Sequence, residues 1–443
     1  MSPAVEHTEQ KPFGATAAEP ADCSAEPLKV LHVLDNLGMG GAETWLMALL
    51  KHWREQGPDA PQVEILATGG KPSVFDGEAT ALGARIHYAP YSRATAVSFA
   101  LAFRRILRQG RFAALHDHQD FVSGWHFLMG LGALPPVRIT HVHNRLSHLK
   151  ANYLTTLGRR TAARIGVCLI SRLCTFVAGA SEQSLREYRF DRLRGPRGPV
   201  PSGALYCGFD PARFAHGQAE ARLAVREEFG WPAASKIILA VGRTDESAEF
   251  DHPLNQKNSA FAVAVGIELA RRDPNTCVLL AGDTSAATEV LQRRVCAANL
   301  TDQFAFAGRR RDVDRLMKAS DALLFPSRTE GLGMVAVEAQ AAGLPVLAST
   351  EVPEECVVIP GAVRFLGLDE GVSAWADNLL ALLGAPRSDP LVTCGQIARS
   401  PFSIEHSAAT LVRLYSGGER RTRLENLPDV VRTQSNRPKI VTS

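Results

Sequence analysis

The sequence predicts an α/β protein made of two doubly wound, Rossmann-like domains that face a central cleft. Short apolar runs separated by helical patterns recur along both halves of the chain, and this alternation is typical of parallel sheets covered by helices. Each half also carries a glycine-rich loop between a strand and a helix, which is where such domains bind ligands. With 443 residues, of which 45% are hydrophobic, the chain is long enough to bury two ordinary cores.

The N-terminal Rossmann-like domain is predicted at residues 28–215. Its apolar runs predict strands at residues 30–34, 63–67, 86–88, 113–115, 139–142 and 176–178. A stretch rich in proline and glycine, residues 195–203, precedes the last strand, and the linker to the second half is expected shortly after Asp210. Residues 1–27 are rich in Ala, Pro, Glu and Thr, which predicts a disordered tail.

The C-terminal Rossmann-like domain is predicted at residues 216–400. Its strands are predicted at residues 236–241, 278–281, 304–307, 323–325, 346–348 and 363–366. Residues 401–416 carry a final helix, since Ala408, Leu411 and Leu414 fall on one face of a helical pattern. Residues 417–443 are polar and basic and predict a second disordered tail.

Composition excludes several classes of protein. A net charge of +3 is too small to indicate a nucleic-acid-binding protein. The eight cysteines form no CxxC pair, and the N-terminus lacks the pattern of a secretory signal, so we expect reduced thiols in the cytoplasm. No apolar run reaches the roughly 18 residues that a membrane span requires.

The most informative segment, residues 328–345, joins a strand to a short alanine-rich helix through a glycine-rich turn. The N-terminus of such a helix carries about half a positive charge and suits a phosphate. Glu330 in the turn is placed to accept hydrogen bonds from hexose hydroxyls and Glu338 from ribose hydroxyls, while Gly331 and Gly333 let the backbone approach a ligand closely. This pattern suits a nucleotide sugar. The alternative is an ordinary helix with one solvated glutamate and one favoured by the helix dipole.

The segment resembles the E-x7-E motif of glycosyltransferase family 4, a family of retaining enzymes with the GT-B fold, and the resemblance covers roughly residues 28–416. It implies that Arg243 and Lys257 contact the donor diphosphate and act in catalysis with Glu330. It also implies a UDP- or GDP-sugar donor held mainly by the second domain, an acceptor held by the first, and no requirement for a metal ion or other cofactor. The implied donor-binding residues of this segment are Gly331, Leu332, Gly333, Met334 and Glu338.

Two features depart from the family pattern. The loop at residues 244–256, before Lys257, is longer than the family's usual loop. Cys207 stands where the family commonly has asparagine, although Gly208 and Asp210 keep residues that favour a turn.

A second glycine-rich loop, with Gly40 and Gly41, follows the first predicted strand and opens a helix at residues 44–53. A nicotinamide-binding fingerprint requires a third glycine and an acidic residue at the end of the second strand. Glu43 stands where the third glycine is required, and the second strand ends in Ala67-Thr68-Gly69, none of which is acidic. These differences argue against a dehydrogenase. The resemblance implies that Gly40 and Gly41 face the donor phosphate and the acceptor.

Four histidines, His116, His118, His141 and His143, stand at the ends of two neighbouring predicted strands. Spacing of two residues sets each pair on one face of its strand. A zinc site, satisfied strand-end histidines, and a cleft histidine that acts on substrate are the three interpretations. The resemblance favours the third, with His143 as the catalytic histidine and His118 as the second candidate, because the family presents a histidine of the first domain near the reacting sugar.

Residues 145–172 combine basic and apolar side chains in a helical pattern. A basic amphipathic helix is typical of a membrane-surface or partner-facing element, and a solvated helix face is the alternative. Many proteins of the resembling family act on lipid-linked acceptors, so the resemblance favours peripheral contact with the inner face of the cytoplasmic membrane.

The combined prediction is a retaining glycosyltransferase that moves a hexose-type sugar to a saccharide or lipid-linked acceptor. The sequences around Lys257 and Glu338 look most like members that assemble bacterial exopolysaccharide or capsule, and a role in lipopolysaccharide synthesis is also compatible. The leaving phosphate is expected to accept the proton of the acceptor. The alternatives are a sugar-nucleotide epimerase or hydrolase of the same fold and a non-catalytic sugar-binding protein.

Overall fold

A computed structural model describes residues 27–250, 252 and 254–417 of the chain. The tails predicted at residues 1–27 and 417–443 lie outside the described residues, apart from Pro27 and Gly417. The α/β fold with two parallel sheets is confirmed, and every predicted strand overlaps an observed one.

The first sheet has seven parallel strands, in the order β3-β2-β1-β4-β5-β6-β9. The two short strands missing from this order form an antiparallel hairpin in the proline- and glycine-rich stretch. The strands of this half are β1 (Lys29–Leu34), β2 (Gln62–Ala67), β3 (Arg85–Tyr88), β4 (Ala114–Asp117), β5 (Val137–Val142), β6 (Phe176–Gly179), β7 (Arg194–Gly195), β8 (Gly198–Pro199) and β9 (Ser202–Ala204).

Helices cover both faces of this sheet, as apolar side chains on every strand require. They are α1 (Gly41–Gln56), α2 (Asp76–Ala81), α3 (Ala96–Gly110), α4 (Ser123–Met129), α5 (Leu146–Asn152), α6 (Leu157–Leu173) and α7 (Glu182–Tyr188).

The second sheet has six parallel strands, in the order β12-β11-β10-β13-β14-β15. Its strands are β10 (Lys236–Val241), β11 (Thr276–Ala281), β12 (Phe304–Gly308), β13 (Ala322–Phe325), β14 (Val346–Ser349) and β15 (Val363–Leu366). Its helices are α8 (Gln218–Glu228), α9 (Ser259–Arg272), α10 (Ala286–Ala297), α11 (Val313–Ala319), α12 (Met334–Ala341), α13 (Gly371–Leu383) and α14 (Pro390–Ala398).

The last helix, α15 (Ile404–Tyr415), lies against α1 of the first domain. Its residues Ile404, Leu411 and Tyr415 belong to the same buried cluster as the residues of β1 and α1. Trp45 of α1 donates a hydrogen bond to Ser407 Oγ at 2.9 Å. The chain therefore crosses from the second domain back to the first.

Strand order reverses between β1 and β4 in the first sheet and between β10 and β13 in the second. Loops on either side of such a reversal open a crevice at the carboxyl edge of the sheet, and ligands bind there. Among the described residues, no helix is long and apolar enough to cross a membrane.

Candidate active site

Lys257 and Glu330 form an ion pair at the carboxyl edge of the second sheet. Lys257 Nζ lies 2.6 Å from Glu330 Oε1 and 5.9 Å from the ring centroid of Phe325, the last residue of β13. Glu330 is 6% exposed, whereas the Lys257 side chain is 28% exposed. An ammonium has three N–H donors, so the pair holds a cation in the cleft with donors left for an anion.

Arg243 lines the same cavity as Lys257. The cavity lies at the ends of β10, β11 and β13, where Gly242, Gly282 and Pro326 also line it. Within the described part of the chain, the exposed Arg243 guanidinium makes no hydrogen bond or ion pair. The guanidinium and the ammonium thus lie in one cavity, and two such charge-assisted donors suit a diphosphate.

The long loop before Lys257 is held by Asp245, which the sequence analysis did not identify. The buried Asp245 carboxylate accepts hydrogen bonds from the backbone N–H groups of Gln256 at 2.8 Å, Lys257 at 2.9 Å and Ser259 at 2.8 Å. These bonds fix the start of α9 beside the end of β10. Other residues of the loop pack against α9 and α10, where Ala248 joins a buried cluster and Phe250 contacts Phe261, while Lys257 lines the same cavity as Arg243.

The loop from β13 to α12 contains the predicted donor-binding residues. Gly333 precedes the helix with a φ of 92°, a left-handed conformation that favours glycine. Leu332 is buried in the core of the second domain. Met334, the first residue of α12, packs against hydrophobic clusters of both domains, so the helix starts at the cleft.

Glu338 lies in the second turn of α12 in surroundings different from those of Glu330. Burial raises the pKa of Glu338 to about 7, with a smaller lowering effect of Arg213 and a further raising effect of Asp314. Glu330 is paired with a lysine ammonium, whereas Glu338 accepts a proton near neutral pH. The two glutamates of the motif thus differ in charge as well as in position.

Gly331 brings the two halves of the site into contact. A Cβ at this position would lie 2.1 Å from the backbone oxygen of His143, which follows β5 of the first domain. Such a distance is shorter than any real carbon–oxygen contact, so only glycine fits. The predicted catalytic residues His143 and Glu330 therefore stand on opposite sides of one close backbone contact.

Further polar contacts join the domains beside Gly331. The Glu355 carboxylate of the second domain accepts hydrogen bonds from the backbone N–H groups of Glu182 and Gln183, at 2.8 and 3.0 Å, where α7 begins. Arg145 of the first domain lies 2.6 Å from Glu187 and 3.3 Å from Glu351 of the second. These contacts hold the domains together on this side of the cleft.

Asp120 fixes the backbone at His143 and was also missed by the sequence analysis. It has a left-handed φ of 46° and is buried. Its carboxylate accepts hydrogen bonds from His143 N at 3.0 Å and from Asn144 Nδ2 at 2.9 Å. Burial raises the pKa of Asp120 to about 6, and the hydrogen bonds from Asn144 and His143 oppose this.

Gly40 and Gly41 are exposed at the start of α1. Gly40 has a φ of −79°, which any residue adopts, and a Cβ at Gly41 would meet nothing within 4 Å. Local packing therefore does not require glycine at position 41. A role of the pair toward the donor phosphate and the acceptor stays a prediction.

The four predicted histidines, His116, His118, His141 and His143, come together, and His32 of β1 joins them. Two groups of three histidines each have ring nitrogens within 4.8 Å of one another. One group is His32, His116 and His118, and the other is His118, His141 and His143. Asp117, which lies between His116 and His118 in the sequence, instead pairs with His126 at 2.7 Å. Burial lowers the pKa of every member of the cluster, so the imidazoles are neutral.

A further histidine, His148 of α5, lies across the cleft from the cations, and the sequence analysis did not identify it. Burial lowers the pKa of His148, Arg243 and Lys257 lower it further, and Glu330 opposes them. His148 accepts a hydrogen bond from Asn152 Nδ2 through its Nδ1 at 3.0 Å. The first helix of the predicted basic stretch thus faces the site.

The basic stretch at residues 145–172 is two helices, α5 and α6, rather than one amphipathic helix. Residues 153–156 interrupt it, and Arg145 is held in ion pairs at the domain interface. Most of the exposed basic and apolar side chains lie on α6 and the turn before it, and Lys150 of α5 is exposed as well. Those on α6 and the turn are Tyr153, Leu157, Arg159, Arg160, Arg164, Ile165 and Arg172.

Two family models match the chain, one in each half. A model described as "Glycosyltransferase Family 4" matches residues 39–194, and a model described as "Glycosyl transferases group 1" matches residues 235–385. The first match covers most of the first sheet and the second covers all of the second sheet.

Individual proteins agree with these matches. The chain is 28% identical over 391 residues to "Putative glycosyltransferase EpsF" of Bacillus subtilis (strain 168), which covers 88% of this chain and 96% of that protein. It is 23% identical over 315 residues to "Capsular polysaccharide biosynthesis glycosyltransferase CapH" of Staphylococcus aureus, covering 70% and 78%. The crystal structure of Anabaena Alr3699/HepE in complex with UDP-glucose superimposes with a TM-score of 0.68 at 16% identity, covering 88% and 100%. The structural similarity to the Anabaena protein shows the fold alone.

Proposed function

We propose that this chain, a glycosyltransferase of the family 4 type with the GT-B fold, moves a hexose-type sugar from a UDP- or GDP-sugar to a saccharide or lipid-linked acceptor with retention of configuration. The observation that carries this proposal is the Lys257–Glu330 ion pair beside Arg243, which has no hydrogen-bond or ion-pair partner among the described residues. Two neighbouring cations suit a departing diphosphate, and the carboxylate suits the hydroxyls of a hexose.

The donor occupies the cavity at the carboxyl edge of the second sheet. Its diphosphate lies between Arg243 and Lys257 at the ends of β10 and α9, while Glu338 accepts hydrogen bonds from the ribose and Glu330 from the hexose. The hexose then lies beside Gly331, at the contact with His143. The acceptor enters from the first domain.

Retention follows from departure and attack on the same face of the sugar. The bond between the anomeric carbon and the diphosphate oxygen breaks, and a bond from that carbon to the acceptor oxygen forms. The acceptor proton moves to the departing diphosphate oxygen. Arg243 and Lys257 stabilise the charge that develops on the diphosphate, which is the largest contribution that a preorganised site makes to such a step. The two cations supply the charge that a metal ion supplies in other transferases, so we propose that the reaction needs no metal.

A polysaccharide pathway is the proposed setting. Similarity to a capsular polysaccharide biosynthesis glycosyltransferase of Staphylococcus aureus supports a saccharide acceptor. The exposed Leu157 and Ile165 beside Arg159, Arg160 and Arg164 support contact with an anionic membrane surface. We therefore place the protein at the inner face of the cytoplasmic membrane as a peripheral enzyme.

Thermal unfolding in the presence of single donors tests the donor class. A UDP- or GDP-sugar at 100 times its dissociation constant is expected to add about 2.7 kcal/mol to the free energy of unfolding. Arg243→Ala should reduce this stabilisation, while Arg272→Ala, which removes ion pairs with Glu268 and Asp377 at the other end of α9, should not. Equal stabilisation of the wild type and Arg243→Ala by every donor would contradict the placement of the diphosphate.

Turnover assays separate the alternatives. An epimerase or hydrolase consumes the donor at the same rate with and without acceptor, whereas a transferase consumes it in step with acceptor glycosylation. A sugar-binding protein is stabilised by donor and consumes none.

A further inference from the structure

Helices α3, α4 and α6 lie side by side on one face of the first sheet, and their outer surface is called the basic face below. Helix α4 packs against α3 on one side and against α6 on the other, and Phe99 of α3 and Phe127 of α4 share a buried cluster. Packed helices lie about 8–10 Å apart, so α3 and α6 are roughly 20 Å apart. The membrane contact proposed above uses α6 alone, and α3 has no assigned role.

Acidic side chains are almost absent from the part of the chain that builds the basic face. Residues 79–181 contain thirteen Lys and Arg residues but only two acidic residues, Asp117 and Asp120, and both are buried. The remaining 340 residues contain 36 Lys and Arg residues and 44 acidic residues. The net charge of +3 therefore combines a segment of charge +11 with a remainder of charge −8.

Exposed arginines lie along both outer helices of the basic face. Those of α3 are Arg105 and Arg108, and those of α6 are Arg159, Arg160, Arg164 and Arg172. None of them forms an ion pair with an acidic side chain in the part of the chain that the structure describes. Their positive charge is therefore uncompensated at the surface and attracts anions.

The two most exposed large apolar side chains of the described residues also belong to the basic face. They are Val97 of α3, which is 76% exposed, and Leu157 of α6, which is 78% exposed. Each lies in the first turn of its helix. Because these helices follow β3 and β5 and return toward the start of the next strand, their first turns lie at the carboxyl edge of the sheet, beside the cleft.

Apolar and basic side chains share one stripe on α3. Val97, Leu101, Arg105 and Arg108 are exposed and are spaced by four, four and three residues, which sets them on one side of a helix. The opposite side of α3 packs in the buried core of the domain. The outer stripe is therefore apolar near the cleft and basic further from it.

We propose that the basic face docks on an anionic membrane leaflet through α3 as well as α6. Val97, Leu101 and Leu157 enter the boundary between headgroups and acyl chains, and the arginines lie over the headgroups. A surface that binds at this boundary combines apolar side chains with basic ones, whereas a nucleic acid or another polyanion would use the arginines alone. The exposed apolar residues therefore favour a membrane.

This docking places the acceptor. With the apolar residues at the carboxyl edge of the sheet, the cleft of the bound protein opens beside the leaflet, where the sugar of a lipid-linked acceptor lies. That consequence rests on the proposed function, while the docking itself does not depend on it.

The distance between α3 and α6 requires each helix to make its own contact. Salt screens charges over roughly 8 Å, which is less than half of the separation between the two helices. The arginines of α6 therefore cannot substitute for those of α3. Two contacts on one rigid domain bind more tightly than either does alone, and they fix the direction in which the cleft faces.

Sedimentation of the full chain with vesicles of phosphatidylglycerol and phosphatidylcholine tests the contact of α3. Val97→Ser together with Leu101→Ser should weaken binding roughly tenfold, since two apolar side chains no longer leave water. Arg105→Gln together with Arg108→Gln should weaken it about 25-fold at low salt, and less as salt is added. Leu391→Ser together with Val392→Ser, which changes two exposed apolar residues of α14 in the second domain, should bind as wild type.

A substitution that strengthens binding provides an independent test. Val97→Trp should increase affinity for the same vesicles, because tryptophan favours the membrane–water interface. Lipids brominated on their acyl chains should quench the emission of the introduced side chain. Leu223→Trp changes an exposed residue of α8 in the second domain and should show neither effect. All variants should unfold at the same temperature as the wild type, since each changes exposed side chains.

Three results would overturn the inference. The first is equal vesicle binding by the wild type and both α3 double variants, and the second is an unquenched tryptophan at position 97 in bound protein. The third is a dimer in sedimentation velocity that Val97→Ser with Leu101→Ser dissociates, which would assign the stripe to a second copy of the chain. Retention of the protein on DNA without any vesicle binding would assign the arginines to a polyanion instead. Failure of the proposed function appears separately, as a protein that docks through α3 but transfers no sugar.

Discussion

At the scale of single residues, Lys257 and Glu330 determine each other's position and charge. The carboxylate is nearly buried and lies 2.6 Å from the ammonium, so removing the lysine leaves a charge without a partner. Such a loss is costly in a buried pair, and partial exposure of Lys257 reduces the cost.

Lys257→Ala is therefore expected to lower both stability and turnover. The free energy of unfolding in urea should fall by about 1–2 kcal/mol, and turnover with a nucleotide sugar should fall by roughly 100-fold. Adding Glu330→Gln should restore stability but not turnover, since the orphaned charge is removed and the diphosphate contact is not replaced. Lys318→Ala, which removes a 3.3 Å ion pair with Asp314 outside the cavity, is the matched control. Full activity of Lys257→Ala would assign the diphosphate to another cation.

Glu338 should make nucleotide affinity depend on pH. Its pKa of about 7 means that the side chain is protonated below this value and ionised above it. Ribose hydroxyls donate best to the ionised form, so the affinity for free UDP or GDP should rise as pH increases through about 7. Glu338→Gln should weaken nucleotide binding by about 1.5–3 kcal/mol above that pH and remove the dependence of affinity on pH. Glu330→Gln should leave free nucleotide binding almost unchanged. If calorimetry shows the reverse pattern, Glu330 contacts the ribose and Glu338 contacts the hexose.

The sequence could predict some of these residues because short motifs carry them. Glu330, Glu338 and Arg243 follow strand ends with recognisable spacing. Asp245 and Asp120 act through backbone N–H groups brought together by loop geometry, and no spacing in the sequence signals such bonds. Their acidic character next to Arg243 and to His118 was the only available sign.

At the scale of elements, the loop between β13 and α12 does two things at once. Glu330 reaches Lys257 while Gly331 touches the backbone that follows β5. The strands were predictable because buried parallel strands are continuous apolar runs, and their bounds differ from the observed ones by at most two residues. The contact between loops of different domains has no counterpart in local sequence.

Gly331→Ala should separate donor binding from turnover. The added methyl group would lie 2.1 Å from His143 O, and because both partners are backbone, the domains must move apart. Free nucleotide binding to the second domain should stay within about threefold, whereas turnover should fall by roughly 100-fold, as expected for a misplacement of about 1 Å. Gly77→Ala on α2, where a Cβ meets nothing within 4 Å, should behave as wild type. Unchanged turnover of Gly331→Ala would show that the contact is not used in catalysis.

Helix α6 is expected to carry membrane binding without α5. Each basic residue close to an anionic leaflet contributes about 1 kcal/mol, and salt screens this attraction within roughly 8 Å. Sedimentation with anionic vesicles should fall steeply with added salt and be lost when Arg159, Arg160 and Arg164 are changed to glutamate. Nucleotide binding should survive, since the donor cavity belongs to the other domain. Vesicle binding that does not depend on salt, or that persists in the triple variant, would show that α6 is an ordinary solvated helix face.

At the scale of the whole molecule, the proposed site draws on both domains. In that proposal the second domain supplies the cations and both glutamates, and the first supplies His143 and His148. The hydrogen bonds from the start of α7 to Glu355 of the second domain and the packing of α15 on α1 join the two domains. Alternating strands and helices predicted two such domains, but nothing in the sequence predicted which loops meet.

Transfer of labelled sugar from donor to lipid distinguishes a glycosyltransferase from the alternatives. The protein is incubated with a UDP- or GDP-sugar labelled in the sugar, with and without a bacterial membrane lipid extract as acceptor, and label is followed in lipid, free sugar and donor. We predict label in a lipid-linked product in step with release of nucleoside diphosphate, and loss of both in Arg243→Ala. Release of labelled free sugar at the same rate without acceptor, or no movement of label from donors that bind, would contradict the account.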